Sequence, residues 1–416
     1  MIALGRALAA RGHEVCVQTW RRWQPHVESE QLRFAPAPEY HAFPRGPGEL
    51  GFYEAIERAT RDTLALLDEF APHALVADIL TLAPALAAEL RGVPWATLIP
   101  HVYPVDAPGL PIYSIGARLP STPLGGALWD MVKGPMHRGV EHGRADLNRT
   151  RAALGLPPLE HPHGGISREL ALVATFPQLE YPRPWPSGTH VIGPLIWEPD
   201  SPDVPLPRGD DPLVLVAPST SQDPSARLLR AALEGLAELP VRVLATVNRR
   251  APGAGSPAQD LKPARARRGR ARRQRPLPAP ANASIVDWLS YARTMPHCDV
   301  VVCHVGHGTL VRALVSGCPV LACPIAGDMA ENAARLDWCG AGVRLPHRFI
   351  SARPLRLAVE RILEDTSMRG RARELADWAA RHDSGATAAA LIERMVERSP
   401  HDASVAGPHH PAPAAT

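Results

Sequence analysis

Apolar positions along the chain follow two alternating patterns. Short apolar runs predict buried strands, and longer segments with apolar residues three or four positions apart predict helices. In the first half, the predicted strands are 13–19, 74–77, 95–99 and 170–175, and the predicted helices are 52–70, 82–91 and 126–154. The second half continues with strands beginning near 214 and at 241–247, 300–303 and 319–323, and with a helix at 309–316. Strands that alternate with helices predict an α/β protein.

A proline-rich segment, IWEPDSPDVPLPRGDDP, divides the chain at 196–212 and is predicted to be a linker. We therefore expect an N-terminal domain at 1–195 and a C-terminal domain at 213–380, and two such domains suit a length of 416 residues. A helix at 381–398 follows. The small, polar tail at 399–416 is expected to be disordered.

The turn after one C-terminal strand holds the candidate chemistry. His304, Gly306 and Gly308 form this turn, and Thr309 begins the next helix. Small residues in such a turn leave backbone N–H groups available at a helix N-terminus, where an anion is stabilised. Asp328 follows the next strand, so it is expected at the same carboxyl edge of the sheet. Phosphate donors beside a carboxylate that can bind hydroxyl groups predict a site for a sugar nucleotide.

Three stretches of this region carry a longer pattern: His304-Val-Gly-His-Gly-Thr309, Gly317-Cys-Pro319 and Pro324-Ile-Ala-Gly-Asp328-Met-Ala-Glu-Asn332-Ala333. In sequence and spacing they resemble the donor-binding signature of the GT-B glycosyltransferases of family one, the UDP-glycosyltransferase-like enzymes. The resemblance implies a GT-B fold, in which two Rossmann-like domains face each other across a cleft. It also implies that the N-terminal domain binds the acceptor and the C-terminal domain binds the nucleotide sugar.

The resemblance assigns donor binding to a set of C-terminal residues: Ser219, Thr220, Ser221, Trp288, His304, Gly306, Gly308, Thr309, Asp328, Met329 and Asn332. In the family, the 219–221 loop binds the terminal phosphate, the aromatic ring stacks on the nucleobase, and the histidine donates to the diphosphate. Structural alternatives exist for each of these. The loop hydroxyls and Asp328 could cap helices, and Trp288 and His304 could belong to the core.

Asp78 follows an apolar strand in the N-terminal half. In the family, an aspartate here orients the histidine that deprotonates the acceptor; a cap of the following helix is the alternative. The family's first strand and the loop with that histidine have no counterpart before Met1, so we expect an internal start or a truncated chain. The chain begins within a predicted helix, from Ala3 to Arg11, and His13 follows that helix at the wrong end of the crossover. His101 is the nearby candidate for the partner of Asp78.

Three residues depart from the family pattern. Val305 replaces a glycine, so a negative φ is expected there. Met329 replaces a glutamine that contacts sugar hydroxyls, and Arg312 stands where many members have a glutamate that binds the ribose. A pocket without those two groups suits a dTDP-linked deoxysugar. Backbone groups that replace both contacts are the alternative.

Composition narrows the function further. The net charge of +3 falls to −4 without the seven arginines of 265–275, so nucleic-acid binding is not expected, and that run is predicted to be a solvated loop. No apolar stretch is long enough to span a membrane and no signal peptide is evident, which predicts a cytoplasmic protein. Six cysteines without a Cys-x-x-Cys pair and the lack of an Asp-x-Asp motif predict no metal site. A homodimer is left open.

We therefore predict a hexosyltransferase-type glycosyltransferase. It would move a sugar from a dTDP- or UDP-linked donor, with no further cofactor, to a hydroxyl of an apolar natural product, with inversion. Because the partner histidine is absent, a non-catalytic sugar-nucleotide-binding protein or auxiliary partner is one alternative. A sugar-nucleotide epimerase of the same fold is the other.

Overall fold

The structure, a computed structural model, describes residues 1–38, 52–161, 164–201, 203–219, 223, 225–248, 276–325 and 327–398. The arginine run 265–275 and the tail 399–416 lie outside the described residues.

The described residues of the N-terminal domain form six short strands and six α-helices. The strands are β1 (Cys16–Thr19), β2 (Arg33–Pro36), β3 (Leu75–Asp78), β4 (Trp95–Ile99), β5 (Ala171–Val173) and β6 (Thr189–Val191). The helices are α1 (Ile2–Ala9), α2 (Gln24–Glu28), α3 (Phe52–Phe70), α4 (Leu82–Arg91), α5 (Pro123–Val132) and α6 (Gly134–Ala153). β1 pairs with β2, and the other strands form a separate parallel sheet in the order β3-β4-β5-β6.

The C-terminal domain has one parallel sheet in the order β12-β11-β10-β7-β8-β9. Its strands are β7 (Leu213–Ala217), β8 (Arg242–Thr246), β9 (Ala283–Val286), β10 (Val300–Cys303), β11 (Val320–Ala322) and β12 (Gly342–Arg344). Its helices are α7 (Arg227–Gly235), α8 (Tyr291–Thr294), α9 (His307–Val315), α10 (Asp328–Cys339), α11 (Ala352–Glu364) and α12 (Thr366–Arg381), and α13 (Ser384–Arg398) follows. The predicted α/β class with parallel sheets is confirmed.

Both faces of the C-terminal sheet are buried, which explains its continuous apolar strands. Successive residues of β7 point to opposite faces: Leu215 packs toward α9 and α10, whereas Val214 and Val216 pack toward α7 and α11. The sheet is therefore held between two helical layers, and its carboxyl edge is left for loops.

The predicted helix 126–154 is wrong, because the segment forms two helices. α5 ends at Val132, and Pro135 lies in the first turn of α6, since proline is tolerated there and not in a helix interior. Lys133, between the two helices, is 1% exposed and bonds to Asp106 and Asp130 at 2.7 and 2.9 Å. The short strands β2, β6 and β12 were missed, since three or four residues give little periodicity.

The last helix packs on the N-terminal domain. Ala388 and Ile392 of α13 share a core cluster with Leu4 of α1 and with strands of the N-terminal sheet. Arg11 and Glu393 add a two-bond pair on the surface. No helix among the described residues is long and apolar enough to cross a membrane.

Candidate active site

The site begins where the order of the C-terminal strands reverses. The chain proceeds outward from β7 to β9 and then returns to place β10 on the other side of β7. The loops after β7 and β10 therefore diverge at the carboxyl edge, where open α/β sheets bind ligands. Ser219 follows β7 and His304 follows β10. Thr220 and Ser221, predicted for the same loop, lie outside the described residues.

His304 joins the two loops across this crevice. The backbone N–H of Ser219 donates to His304 Nδ1 at 2.8 Å, so the proton of the neutral ring lies on Nε2. Nε2 is 3.8 Å from the carboxylate of Asp223, which accepts from the backbone N–H groups of Arg227 and Leu228. His304 is 2% exposed, and its burial lowers its pKa to about 4 against the opposing effect of Asp223. The ring is therefore neutral at pH 7.

The turn after His304 contains a valine whose backbone lies in the left-handed region. Val305 has a φ of 54°, so the expected negative φ is wrong. Its carbonyl accepts a hydrogen bond of 2.9 Å from the side-chain amide of Asn332, and its side chain is buried in the core. Tertiary contacts on both sides of the peptide override the local preference of a β-branched residue.

The first turn of α9 faces open space. α9 begins at His307, with Gly306 as its N-cap, two residues before the predicted start at Thr309. The prediction was wrong because Gly308 was assigned to the turn, whereas it lies in the helix. An added Cβ at Gly306 or Gly308 would meet no atom within 4 Å. An anion can therefore approach the N–H groups of this helix end closely.

The predicted sugar-binding residues lie at the start of α10. Asp328 is the first residue of α10 and Gly327 is its N-cap, so the capping role considered for Asp328 is not observed. Met329 is 9% exposed and packs in the core. Asn332 is fully buried, and its amide donates to Val305 and, at 3.4 Å, to Asp328. Asn332 thus holds the turn, and Asp328 remains half-exposed at the cleft.

Side chains of both domains meet at the start of α9. His307 Nε2 lies 3.4 Å from the carbonyl of Ala174, which follows β5. His101, after β4, lies 3.4 Å through Nδ1 from the Tyr113 hydroxyl. Burial and, second, the nearby His101 lower the pKa of His307 to about 4. Burial raises the pKa of Tyr113, and the carboxylate of Asp328 adds to this effect. We define the cross-cleft cluster as His101, Tyr113, His307, Asp328 and Asn332.

A buried ion-pair network connects α10 to the N-terminal domain. Arg335 is 3% exposed, and it bonds to Glu331 at 2.8 Å and to Glu180 at 3.2 Å. Glu331 accepts from the backbone N–H of Ser114 at 3.2 Å, and Glu180 accepts from that of Tyr103 at 2.7 Å. One cation thus lies between two buried carboxylates, each of which also accepts a backbone hydrogen bond from the N-terminal domain.

The loop 100–122 packs directly against α10. A Cβ added at Gly116, where φ is 66°, would lie 2.5 Å from the carbonyl oxygen of Ala330. The carbonyl of Gly116 accepts a hydrogen bond from Arg344, and Arg118 pairs with Asp337 at 2.9 Å. Glycine is required here because the two backbones approach too closely for any side chain.

The linker lies against the segment that carries Trp288. The indole N–H of Trp288 donates to Ser201 Oγ at 3.1 Å, and the ring is half-buried. Glu198 accepts from two backbone N–H groups at the start of α8, at 2.8 and 3.0 Å. Arg312 lies 3.8 Å from the Glu198 carboxylate. The cation at the position of the family's ribose-binding glutamate is therefore paired with a carboxylate from the linker.

Asp78 is the last residue of β3 and lies at the edge of the N-terminal sheet. Its Oδ1 accepts from the backbone N–H of Leu80 at 2.9 Å, and Thr81, not Asp78, is the N-cap of α4. The amino group of Met1 lies near Asp78. Burial lowers the pKa of this amino group, and the Asp78 carboxylate opposes that effect. Across the described ranges, neither His101 nor any other histidine forms a hydrogen bond or ion pair with Asp78.

Sequence reasoning missed several residues of this site. His307 lies between two glycines of the motif. An ionisable side chain at that position was the signal that could have identified it as a site residue. Glu331 and Arg335 are spaced to form an ion pair on a helix, but this spacing does not show that the pair is buried. Tyr113 lies in a proline- and glycine-rich stretch without a motif.

Two sequence comparisons relate the chain to proteins of natural-product biosynthesis. A family model described as erythromycin biosynthesis protein CIII-like, C-terminal domain, matches residues 270–395. The chain is 29% identical to 4'-demethylrebeccamycin synthase of Lentzea aerocolonigenes, and the match covers 95% of this chain and 96% of that protein.

Solved structures show the same fold. The calicheamicin glycosyltransferase CalG4 superposes with a TM-score of 0.69 at 20% identity, over 95% of this chain and 94% of that one. A glycosyltransferase of Streptomyces sp. SF2575 complexed with thymidine diphosphate superposes with a TM-score of 0.60 at 23% identity, over 94% and 95%. The predicted GT-B fold is confirmed. The chain is a glycosyltransferase that is similar to the GT-B enzymes of family one, of the type that attaches sugars to bacterial natural products.

Proposed function

We propose that the chain transfers a deoxysugar from a dTDP-linked donor to a hydroxyl of an apolar natural product, with inversion at the anomeric carbon. The observation that supports this most strongly is the crevice between β7 and β10. Here Ser219, His304 and the exposed first turn of α9 lie together at the carboxyl edge of the sheet. Such a crevice suits a diphosphate.

The diphosphate would bind between His304 and the N-terminus of α9. Because Nδ1 of His304 accepts from Ser219, the ring presents its proton on Nε2. The 3.8 Å to Asp223 exceeds hydrogen-bond length, so this N–H can turn to a phosphate oxygen. The ring donates in its neutral form, because the N–H of Ser219 occupies Nδ1 and leaves no place for a second ring proton. The leaving diphosphate would thus gain a preorganised neutral donor during transfer.

Two residues that depart from the family pattern support a donor with few hydroxyl groups. Arg312 is paired with Glu198, so it does not supply an acceptor for a ribose hydroxyl. Met329 is buried in the core and offers no polar atom to the sugar. Burying a hydroxyl without a partner is unfavourable, so a deoxyribose and a deoxysugar fit better than ribose and glucose. The thymidine diphosphate in the Streptomyces relative is consistent with this choice.

Asp78 is proposed as the acidic member of the group that activates the acceptor. It lies at the edge of the N-terminal sheet, at the end of the strand next to the one that leads to His101. The acceptor oxygen would bond to the anomeric carbon as the bond from that carbon to the diphosphate breaks on the opposite face. The proton of the acceptor passes to a general base, which in the family is a histidine held by this aspartate.

Calorimetric titration with dTDP and UDP tests the proposal. We expect dTDP to bind more tightly than UDP, and His304→Ala to weaken dTDP binding by roughly tenfold or more, because a hydrogen bond to a charged group contributes about 1.5–3 kcal/mol. His297→Ala, at an exposed histidine, is the matched control. Tighter binding of UDP than dTDP would refute the choice of nucleotide. Unchanged dTDP affinity in His304→Ala would remove His304 from the diphosphate site.

A further inference from the structure

The first part of the linker, residues 197–201, contacts both domains, and we define it as the linker strap. The indole N–H of Trp197 donates to Glu30 Oε1 at 2.7 Å, and the ring lies edge-on to that of Trp23, with 6.4 Å between the ring centroids. The next residue, Glu198, accepts from two backbone N–H groups of the C-terminal domain. Adjacent residues of the linker strap thus join the N-terminal domain to the start of α8.

Ser201 holds the ring of Trp288 by its edge. Its Oγ accepts from the indole N–H of Trp288 at 3.1 Å and donates to the carbonyl of Pro199 at 3.1 Å. Ser201 is 7% exposed, and its carbonyl accepts from the guanidinium of Arg293, which also pairs with Asp203 at 2.6 Å. An indole ring has a single N–H group. Since Ser201 accepts from that group, contact of Trp288 with a nucleobase is made through the face of the ring.

Glu198 holds the same segment three residues further along the chain. Its carboxylate accepts from the backbone N–H of Tyr291 at 2.8 Å and from that of the following residue at 3.0 Å. The Tyr291 hydroxyl donates to Asn248 Oδ1 at 3.4 Å, and the Asn248 amide donates to the carbonyl of Pro218. Pro218 directly precedes the residue whose N–H bonds to His304. The segment that the linker strap holds is therefore a neighbour of the crevice proposed for the diphosphate.

We infer that the linker strap positions the nucleobase of the donor: Ser201, held in place by Glu198, fixes the ring of Trp288 on which the base stacks. The inference rests on the proposed function. Trp288 follows β9 in a parallel sheet, so it lies at the same carboxyl edge as the diphosphate crevice. A ring that is already held by its edge loses less conformational freedom when a base stacks on it. Ser201 is thus a positioning residue that acts on the base through Trp288 and leaves the diphosphate contacts unaltered.

The test measures the Kd of dTDP by calorimetry, and that of inorganic pyrophosphate by displacement of dTDP, in Ser201→Ala, Trp288→Phe and the double variant. Alanine removes the acceptor of the indole N–H, and phenylalanine removes the N–H while it keeps an aromatic face. We expect each single variant to weaken dTDP binding by about three- to tenfold, with pyrophosphate binding unchanged because pyrophosphate has no base. Ser284→Ala, at an exposed serine of β9, is the matched control and should change neither Kd.

The double variant separates positioning from a general loss of structure. In the Trp288→Phe background, Ser201→Ala should weaken dTDP binding by less than about twofold more, because the N–H through which it acts is absent. Losses that add in the double variant would overturn the inference. Equal losses of dTDP and pyrophosphate affinity in Ser201→Ala, or unchanged dTDP affinity in both single variants, would also overturn it. If the folded wild type binds neither dTDP nor UDP, the proposed function itself fails.

Discussion

Replacing Arg335 with methionine tests whether the ion-pair network holds the two domains together. Arg335 lies between Glu331 and Glu180, and the three residues are 3%, 3% and 6% exposed. Its guanidinium also lies 3.7 Å over the ring of Tyr181, a contact that the methionine sulfur can partly replace. The variant therefore removes the charge with little change in packing, and it leaves two buried carboxylates without a cation.

The expected loss of unfolding free energy is about 3–5 kcal/mol at pH 7, the usual cost of removing one partner from a buried ion pair. The lower half of this range is expected, because each carboxylate still accepts a backbone N–H. Burial raises the pKa of Glu180, and Arg335 is the largest opposing influence. In the variant, this pKa rises further above its unfolded value. The folded state then binds the extra proton, so the loss should shrink as the pH falls from 7 toward 5.

Urea unfolding at pH 7 and pH 5, followed by circular dichroism, measures both effects. Arg91→Met is the matched control, since the Arg91–Asp68 pair is exposed and should contribute little to the unfolding free energy. Combining Arg335→Met with Glu180→Gln should recover part of the loss at pH 7. A loss as small as that of the control, or one that does not change with pH, would refute the argument that these charges are effectively desolvated.

Two further predictions concern single residues of the site. Burial lowers the pKa of His304 from its usual 6.5 to about 4, so its contribution to stability is complete above pH 6.5 and is lost as the pH falls to 4. As the pH falls from 6.5 to 4, the unfolding free energy of the wild type should therefore fall by up to about 3 kcal/mol relative to that of His304→Asn. A difference between the two proteins that stays constant over this range would contradict the burial of His304. Asp78→Asn should lower kcat at least tenfold while the Kd for dTDP is unchanged, because only the acceptor side is altered; equal losses in both would indicate a structural role.

The sequence predicted the position of the turn after β10 better than its conformation. The glycine motif and the position of Asp328 followed from local patterns, and both lie at the predicted edge of the sheet. The φ of Val305 could not be predicted, because it depends on Asn332, which is distant along the chain. The burial of Met329 in the core likewise depends on how α10 packs, which a local motif does not determine.

Contacts between the domains were the part that sequence could least predict. The pairing of Arg312 with Glu198 joins the linker to α9, and nothing local to either residue indicates the other. His101 was considered only as a partner for Asp78. In the structure it lies beside Tyr113 and contributes to the lowered pKa of His307. Such contacts arise from the orientation of two separate sheets, and short-range periodicity carries no information about that orientation.

One face of α10 combines the two kinds of contact. Asp328 and Asn332 are four residues apart, as are Glu331 and Arg335, so the four side chains occupy successive turns on the same side of the helix. The first pair contacts the start of α9 and the proposed sugar site, and the second contacts the N-terminal domain. Because a helix moves as a rigid body, a change in domain spacing that breaks the Arg335 bonds must also displace Asp328 from the opposite wall of the cleft. The arrangement of the domains and the shape of the sugar site are therefore set by the same helix.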